Sequence, residues 1–336
     1  MNAALCPYLI PLLMALAFVL APAWPFSLVF IAFGGVVLAD TLKLPVRAAT
    51  PSRGRVARLA LCLWLPVQAG LLVRGLHAVT AAPLALPQFL KISASVGLMA
   101  GMLAAPIAHE LMHRPGRLER ALAEALLALM CYSHFRVEHL RGHHVRVATP
   151  DDAATARLGE SVYAFYPRAV FGGIVHAWKL EAQRRRGLQR PVAGIGNAVL
   201  RGGLISAVLA GAIGWRFGVP GLVFFAAQSV IGWLVLETVN YVQHYGLSRR
   251  RVAEERYEGV TAMHAWNALQ PVGNAFLFNL GRHSDHHCHA LRGFAELGRC
   301  EAAPQLPTGL LGMCMLALLP ALWFRVMDPL VRATRG

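Results

Sequence analysis

Apolar runs of membrane-spanning length alternate with strongly polar stretches along this chain of 336 residues. A helix needs about 20 mostly apolar residues to cross about 30 Å of hydrocarbon. We predict six transmembrane helices from the apolar runs, at about 4–24, 25–42, 57–76, 88–108, 198–216 and 220–243. No basic segment precedes the first run and a second apolar run follows at once, so we interpret it as a span and not as a cleaved signal peptide.

Two further apolar stretches do not fit the pattern of a simple span. Residues 121–135 are too few and lie between polar blocks, which favours an interfacial or partly sunken helix. Residues 307–327 are long enough, but Pro320 interrupts them, and a seventh span would carry Arg332 and Arg335 across the membrane. We therefore favour an interfacial or re-entrant helix for this stretch.

The polar residues predict which side of the membrane each connection occupies. Two long polar segments, 109–197 and 244–336, are rich in arginine. The connection after the second predicted span also carries basic residues: Lys43, Arg47, Arg53 and Arg55. Because basic loops stay in the cytoplasm, all three connections and both termini are predicted to lie there. The chain has no internal repeat and no linker, so we expect one all-α domain over 1–336, a polytopic membrane protein with a cytoplasmic-side cap.

Composition narrows the classes of function. The chain has 32 Lys and Arg against 17 Asp and Glu, a net charge of +15, yet 56% of its residues are hydrophobic and only 15% are charged. Soluble nucleic-acid-binding proteins rarely combine these values, so we expect no nucleic-acid partner; topology and anionic membrane lipid explain most of the arginines. The six cysteines are scattered without a Cys-x-x-Cys pair, so any metal ion must be bound by other ligands.

Histidine is the unusual residue of this sequence, with 14 copies. Nine of them fall into four blocks at the cytoplasmic ends of the predicted spans or just beyond: His109 and His113; His139, His143 and His144; His244; His283, His286 and His287. Helical residues four apart share a face, so His109 with His113, and His139 with His143, can each bind one metal ion. His144 is then turned by about 100° and can reach a second ion.

Two kinds of metal chemistry remain open at this point. The motif His109-Glu110-x-x-His113 is the zinc-protease signature, so an intramembrane zinc metalloprotease is a distant alternative. A zinc site needs only about three protein ligands, however, whereas nine neutral imidazoles are enough for two metal ions. The absence of thiolates and of an obvious nucleophile favours O₂ activation by iron over hydrolysis. The apolar helices would screen such a centre from water and form a slot for a lipophilic substrate.

Several motifs resemble those of the membrane alkane 1-monooxygenases, or alkane omega-hydroxylases, a histidine-box di-iron family of the fatty-acid desaturase-like superfamily. The similar segments are Glu138–Ser161, Asn240–Leu247, His264-Ala-Trp-Asn267, Arg282–His287, Ala303–Pro307 and Leu322–Asp328. They occur in order between about residues 100 and 330, and the hydropathy of the N-terminal third agrees with the family.

The resemblance implies an enzyme of the bacterial inner membrane with its active site on the cytoplasmic side. Its cofactors would be two non-haem iron ions, and O₂ its co-substrate. The implied reaction is terminal hydroxylation of medium-chain n-alkanes to 1-alkanols. Electrons would come from a separate rubredoxin and its NAD(P)H-dependent reductase, because this chain has no Cys-x-x-Cys tail of the fused kind. Rubredoxins are usually acidic, and the arginine-rich cytoplasmic surface offers a complementary docking face.

The resemblance also assigns roles to individual residues. The nine clustered histidines would be the iron ligands. Because a ligating imidazole usually passes its second N–H to a carboxylate or a carbonyl, we expect Glu110, Glu138 and Asp285 to orient ligands or manage protons. We expect His264 to pack near the ligands and not to bind metal.

One position departs from the family. Gln243 stands where the alkane enzymes usually carry Glu, and together with the block His109–Arg114 it is similar to the sister group that hydroxylates methyl groups on aromatic rings. The second and fourth histidine blocks are more similar to the corresponding motifs of the alkane enzymes. The same chemistry on alkyl-substituted aromatics or on functionalised chains therefore stays open as the alternative.

Overall fold

The computed structural model describes residues 3–20, 24–44, 54–254 and 256–334. Helices form most of the described chain, and they are numbered here in chain order: α1 (Leu9–Leu20), α2 (Ser27–Thr41), α3 (Arg55–Cys62), α4 (Trp64–Thr80), α5 (Leu86–Met99), α6 (Ala105–Met112), α7 (Arg117–Ala128), α8 (Phe135–Glu138), α9 (His144–Arg146), α10 (Val162–Gly187), α11 (Ala198–His244), α12 (Pro271–Phe276), α13 (His283–Cys288), α14 (Leu310–Ala317) and α15 (Pro320–Ala333). Short 3₁₀ helices cover Ala3–Tyr8 and Ala262–His264, and π-helical turns cover Ala100–Ala104 and His139–His143. Within the described residues the strands are β1 (Arg251–Ala253) and β2 (Arg256–Tyr257), which pair antiparallel.

Helices occupy each of the six apolar runs. Three helical stretches of the described chain are long and apolar enough to cross a membrane: Arg55–Thr80, Leu86–Met112 and Ala198–His244. Two more, Ala4–Leu20 and Ser27–Thr41, are apolar but shorter. The number of crossings therefore stays a prediction. Three of the basic residues used for the predicted topology, Arg47, Arg53 and Arg335, lie outside the described residues, as does the end of the first predicted span.

Helix α11 consists of two helical parts joined by a kink at Gly218. Gly218 has φ +64° and ψ −162°, a conformation that glycine adopts without the steric cost of a Cβ atom. Pro220 follows, near the first turn of the second part, where its missing N–H costs little. The bend lies between the two predicted spans 198–216 and 220–243, so the sequence correctly separates the two segments.

Small residues let α5, together with the π-helical turn Ala100–Ala104 that continues it, approach α11 closely. Gly97 and Gly101 stand four residues apart on one helical face, the spacing of the G-x-x-x-G motif of membrane helix pairs. A Cβ atom on Gly97 would lie 2.8 Å from the carbonyl oxygen of Gln228, and one on Gly101 would lie 2.8 Å from that of Gly232. Backbone therefore packs against backbone here. This contact places the start of α6, which carries the first histidine block, beside the end of α11.

The two apolar stretches that did not fit a simple span are broken in the structure. Residues 121–135 form the end of α7 and a turn into α8. Residues 307–327 divide between α14 and α15, and the second of these helices begins at Pro320. Trp323 of α15 is fully buried, and the Tyr245 hydroxyl donates a hydrogen bond of 2.7 Å to Asp328. The C-terminal helix is thereby attached to the chain just after α11.

Asp40 connects the N-terminal helices to the segment that leads to the last histidine block. Its carboxylate, at the end of α2, accepts hydrogen bonds from the N–H groups of Val272 at 3.2 Å and Gly273 at 3.0 Å. These groups belong to the first turn of α12, where backbone donors lack partners within the helix. The buried carboxylate thus holds the chain in place before α13.

Candidate metal centre

All nine clustered histidines meet in one place, as two adjacent groups. The group of five consists of His109, His113, His139, His144 and His286, and the group of four consists of His143, His244, His283 and His287. Within each group the potential ligand nitrogens all lie within 4.8 Å of one another. The two groups touch, because the ring centroids of His144 and His287 are 4.7 Å apart. Four blocks separated by as many as 178 positions therefore form a single site.

The distances between imidazole nitrogens suit metal coordination. The measured Nε2 to Nε2 distances are 2.9 Å for His139 and His144, 3.1 Å for His144 and His286, 3.1 Å for His244 and His283, and 3.0 Å for His283 and His287. A metal ion about 2.1 Å from each nitrogen would place neighbouring ligand nitrogens about 3 Å apart. His144 and His283 each face two such neighbours, although a neutral imidazole has only one N–H to donate.

Other buried nitrogens of the site lack partners. Among the described residues, the Nε2 atoms of His109, His113 and His143 are buried without a hydrogen bond. An unpaired buried polar atom costs about 1–3 kcal/mol, and native proteins contain few of them. Metal ions bound between the histidines would give these three nitrogens partners. The residues present therefore fit metal ions, and an all-imidazole set is compatible with iron as well as zinc, copper or nickel.

The local helix geometry decides which group each histidine joins. We expected His139 and His143, four residues apart, to share one ion. Instead, the π-helical turn His139–His143 shifts the repeat from four residues to five, so His139 faces the same group as His144, and His143 turns to the other. In α13 the ordinary spacing holds, because His283 and His287 share the group of four. The π-turn is thus how three nearly consecutive histidines serve both groups.

Burial prepares these imidazoles to act as ligands. Burial, and after it the neighbouring imidazoles, lower the pKa well below the usual range for His139, His144, His283, His286 and His287. These rings are therefore neutral at physiological pH, which leaves one nitrogen lone pair on each ring available to a metal ion.

Asp152 is the functional residue that the sequence did not reveal. Its Oδ2 atom lies 2.8 Å from Nδ1 of His143, and its carboxylate also accepts hydrogen bonds from the Thr155 hydroxyl at 2.6 Å and the Ala154 N–H at 3.1 Å. Burial opposes ionisation, but His143 prevails and lowers the pKa of Asp152 to about 2. The carboxylate holds the His143 proton on Nδ1 and leaves Nε2 free for metal. The signal available in the sequence was the pair Asp151-Asp152 shortly after the second histidine block.

The three carboxylates that we expected to orient ligands are buried beside the site, but their partners are other groups. Glu110 accepts from Arg114 and from the Phe294 N–H, Glu138 from His176, and Asp285 from His289, Arg292 and the Gly298 N–H. In the described chain, none of the three hydrogen-bonds to one of the nine histidines. Their role in orienting ligands or managing protons stays a prediction.

His264 contacts the site through its backbone. The Nδ1 atom of His244 lies 3.2 Å from the His264 carbonyl oxygen, which fixes the His244 proton on Nδ1. The neighbouring Trp266 N–H donates to the carbonyl of Gln243 at 2.8 Å. The segment His264–Asn267 therefore supports the end of α11, and its histidine side chain belongs to neither group.

A narrow apolar cavity of about 30 Å³ leads to the histidines. It is lined by Gly101, Ala105, Pro106, His109, Phe135, His139, Leu236, Val239, Asn240, Gln243, Leu280 and His283. Leu236, Val239 and Gln243 recur at helical spacing on one face of α11, and His244 follows immediately. The cavity is therefore lined by one face of the last turns of α11 and by three histidines of the candidate metal centre, His109, His139 and His283.

The sequence profile of the fatty acid desaturase family matches residues 87–317, which include all nine histidines. The chain belongs to the fatty acid desaturase family. It is 46% identical over 239 residues to alkane 1-monooxygenase 1 of Pseudomonas aeruginosa, a match that covers 71% of this chain and 63% of that protein. It is 37% identical over 308 residues to alkane 1-monooxygenase 1 of Alcanivorax borkumensis, covering 89% and 76% of the two chains. The resemblance identified from the histidine blocks is thereby confirmed.

A further relative has a different activity in its name. The chain is 30% identical over 232 residues to the xylene/toluene monooxygenase hydroxylase component of Pseudomonas putida, covering 68% of this chain and 61% of that protein. The matched part thus spans less than two thirds of this relative, as of the Pseudomonas aeruginosa protein. Family membership, the long apolar helices and the histidine groups together describe a membrane protein with a candidate metal centre.

Proposed function

We propose that this chain is an O₂-dependent terminal hydroxylase that converts medium-chain n-alkanes to 1-alkanols at a non-haem di-iron centre. The observation that carries the proposal is a pair of all-histidine groups, three of whose members line an apolar cavity. Two relatives that are 46% and 37% identical are alkane 1-monooxygenases, which agrees with the proposal. A hydrocarbon has no group that can form hydrogen bonds. An alkane is therefore recognised by apolar side chains that line the cavity next to the metal site.

The side chains divide the work. Two iron ions bound by the nine histidines would supply O₂ activation, in which two electrons and two protons are consumed and the oxygen atoms end in the alcohol and in water. Asp152 and the His264 carbonyl each hold the Nδ1 proton of a ligand, His143 and His244 respectively. Phe135, Leu236 and Val239 form part of the apolar wall of the cavity. They would exclude water from the bound alkane and from the metal centre.

The electron donor that we propose is a separate rubredoxin with its NAD(P)H-dependent reductase. The excess of 32 basic over 17 acidic residues supports an acidic donor, because complementary charge speeds the encounter of two proteins. Part of that excess is needed for topology and for contact with anionic lipid.

We also propose the membrane arrangement that the sequence predicts. One domain over 1–336 would cross the bacterial inner membrane six times, with the active site and both termini in the cytoplasm. In support, the bend at Gly218 separates the fifth and sixth predicted spans. The residues 109–197 and 244–336 would form the cytoplasmic cap around the histidines.

Methyl groups on aromatic rings are the second candidate substrate. The xylene/toluene relative and the amide of Gln243 in the cavity wall favour it. A zinc protease is a poorer fit, because it would leave one of the two histidine groups without a function.

One experiment tests the function and separates the substrates. The purified protein is analysed for metal and then given octane or p-xylene together with rubredoxin, reductase, NAD(P)H and O₂. We expect about two iron ions per chain and the formation of 1-octanol at a higher kcat/KM than 4-methylbenzyl alcohol. The reverse order of kcat/KM would transfer the proposal to alkyl aromatics. Iron-loaded protein that forms no alcohol from either class would refute it.

A further inference from the structure

The side chain of Gln243 is an amide in the wall of a cavity whose exposed lining is mostly apolar. It is 1% exposed and lines the cavity together with His109, His139 and His283. Its Nε2 atom donates a hydrogen bond of 2.9 Å to the carbonyl oxygen of Leu280. Its Oε1 atom is buried and has no hydrogen-bond partner among the described residues. This oxygen therefore has no hydrogen-bond donor, although it lies next to the candidate metal centre.

The orientation of this amide is determined by Leu280. If the amide were turned by 180°, Oε1 would face the Leu280 carbonyl oxygen, and two acceptors would oppose each other at about 3 Å. The N–H group therefore faces Leu280, and the oxygen is left as a free acceptor. A glutamate at this position would place a carboxylate oxygen against the same carbonyl, so the amide is the form that suits this backbone.

A plain hydrocarbon leaves this acceptor unsatisfied. An unpaired buried oxygen costs about 1–3 kcal/mol, and an alkane chain has no donor to pair with it. A hydroxyl group has one donor and two acceptor lone pairs, so it can donate to Oε1 without leaving its own hydrogen unpaired. Gln243 lines the same small cavity as His109, His139 and His283, so such a hydroxyl would lie at the end of the ligand that reaches the histidines.

We propose that Gln243 Oε1 is a binding site for the hydroxyl group of an aliphatic alcohol, and that this site therefore takes hydroxyl-bearing chains in addition to hydrocarbons. The inference rests on the proposed function, because it places the ligand in the same cavity. Gln243 acts as a residue that determines specificity: it retains a chain whose reacting end carries a hydroxyl, including the 1-alkanol that the enzyme forms. Leu236 and Val239 contact the apolar remainder of the ligand.

The test compares two ligands of similar shape that differ in the donor. Oxidation of fully deuterated octane by the iron-loaded protein is measured as deuterated 1-octanol, while unlabelled 1-octanol or 1-chlorooctane is added as competitor. In Gln243→Met, which keeps the length and removes the acceptor, we expect the inhibition constant of 1-octanol to rise about 3- to 10-fold and that of 1-chlorooctane to change less than about 2-fold. Gln243→Leu is the second variant, in case the methionine protein does not fold.

Gln68→Met is the matched control variant. Gln68 is equally buried and its Oε1 also lacks a partner, but it lies in α4, outside the cavity lining. We expect it to leave both inhibition constants unchanged. Equal shifts for the two competitors in the Gln243 variants, or no shift, would overturn the inference, because the oxygen would then hold water or serve packing only.

A binding measurement separates failure of this inference from failure of the proposed function. The rise in melting temperature that each ligand causes is recorded for the wild-type protein and for Gln243→Met. If octane is not oxidised but 1-octanol stabilises the wild-type protein more than the variant, the inference stands and the function fails. If octane is oxidised and 1-octanol stabilises both proteins equally, the function stands and the inference fails.

Discussion

The Nδ1 atom of His143 lies 2.8 Å from Oδ2 of Asp152, a fully buried carboxylate nine positions later in the chain. This contact fixes the tautomer of a candidate metal ligand. We predict that Asp152→Asn lowers metal affinity about 10- to 100-fold, because a neutral amide oxygen stabilises the proton on Nδ1 less than a carboxylate does. Iron retained after dialysis against graded chelator measures the effect. The neighbouring Asp151, which is exposed, supplies the control Asp151→Asn, and equal iron loss in both variants would contradict the assignment.

The two histidine groups predict separable loss of two metal ions. Removing two ligands from the group of four, as in His283→Ala with His287→Ala, should lower the iron content from about two to about one per chain. The pair His109→Ala and His113→Ala should do the same for the group of five, and either pair should abolish hydroxylation. Elemental analysis and an alcohol assay provide the measurements.

A histidine far from both groups provides a control for the general effect of replacing a histidine by alanine. His77 is exposed and belongs to neither group, so His77→Ala should retain both iron ions and full activity. Retention of both ions by each double variant would show that the groups are not metal sites.

The close contact between α11 and the π-helical turn that follows α5 predicts a strong effect of a single methyl group. In Gly101→Ala the added Cβ atom would lie 2.5 Å from Cβ of Val235 and 2.8 Å from the Gly232 carbonyl oxygen. The two helices must separate, which should cost about 1–3 kcal/mol of unfolding free energy and distort the cavity. Unfolding in detergent and kcat/KM for octane measure the two consequences.

The matched substitution is Gly70→Ala in α4. No atom lies within 4 Å of the Cβ position there, so we expect no loss and a stabilisation of up to about 1 kcal/mol from the higher helix propensity of alanine. Similar destabilisation by both substitutions would mean that the tight contact at Gly101 does not govern the result.

Glu181 predicts a defined dependence of stability on pH. Its carboxylate accepts hydrogen bonds from Arg184, Arg141 and the Ala198 N–H, and so joins α10, the second histidine block and the start of α11. Burial raises its pKa, but these donors outweigh burial and lower it to about 2. We predict that Glu181→Gln lowers the free energy of unfolding by about 1–3 kcal/mol at pH 7.

The sign of the pH effect follows from the lowered pKa. The stabilisation by ionised Glu181 is complete above the ordinary glutamate pKa of 4.5 and is lost as the pH falls towards about 2. The difference between the wild-type protein and Glu181→Gln should therefore shrink over this range. The control Glu301→Gln, at an exposed side chain, should show no such difference, and a difference that persists to pH 2 would contradict the prediction.

Local pattern was sufficient for much of the fold. The six apolar runs all became helices, and the breaks near Gly218 and at Pro320 were visible as glycine and proline in apolar stretches. These features depend on neighbours in sequence, on helix length and on the backbone freedom of single residues. The nine histidines were recognisable for the same reason, since their spacing within each block is local.

The division of the histidines between two groups was beyond local pattern. The helical spacing of four residues predicted a pair of His139 and His143, whereas a π-turn pairs His139 with His144. A π-turn is unfavourable by itself and forms when the surrounding packing and ligands stabilise it, so the local sequence does not reveal it.

By itself, the sequence determined a helical membrane chain, its histidine blocks and its family, because hydropathy and motif spacing are properties of short segments. Only the tertiary structure decided which imidazoles come together in each group, that Asp152 holds His143, and that Gln243, with its unpaired oxygen, lines the cavity. These relationships depend on hydrogen bonds and close contacts between segments brought together by packing, and a linear pattern does not specify where such segments meet.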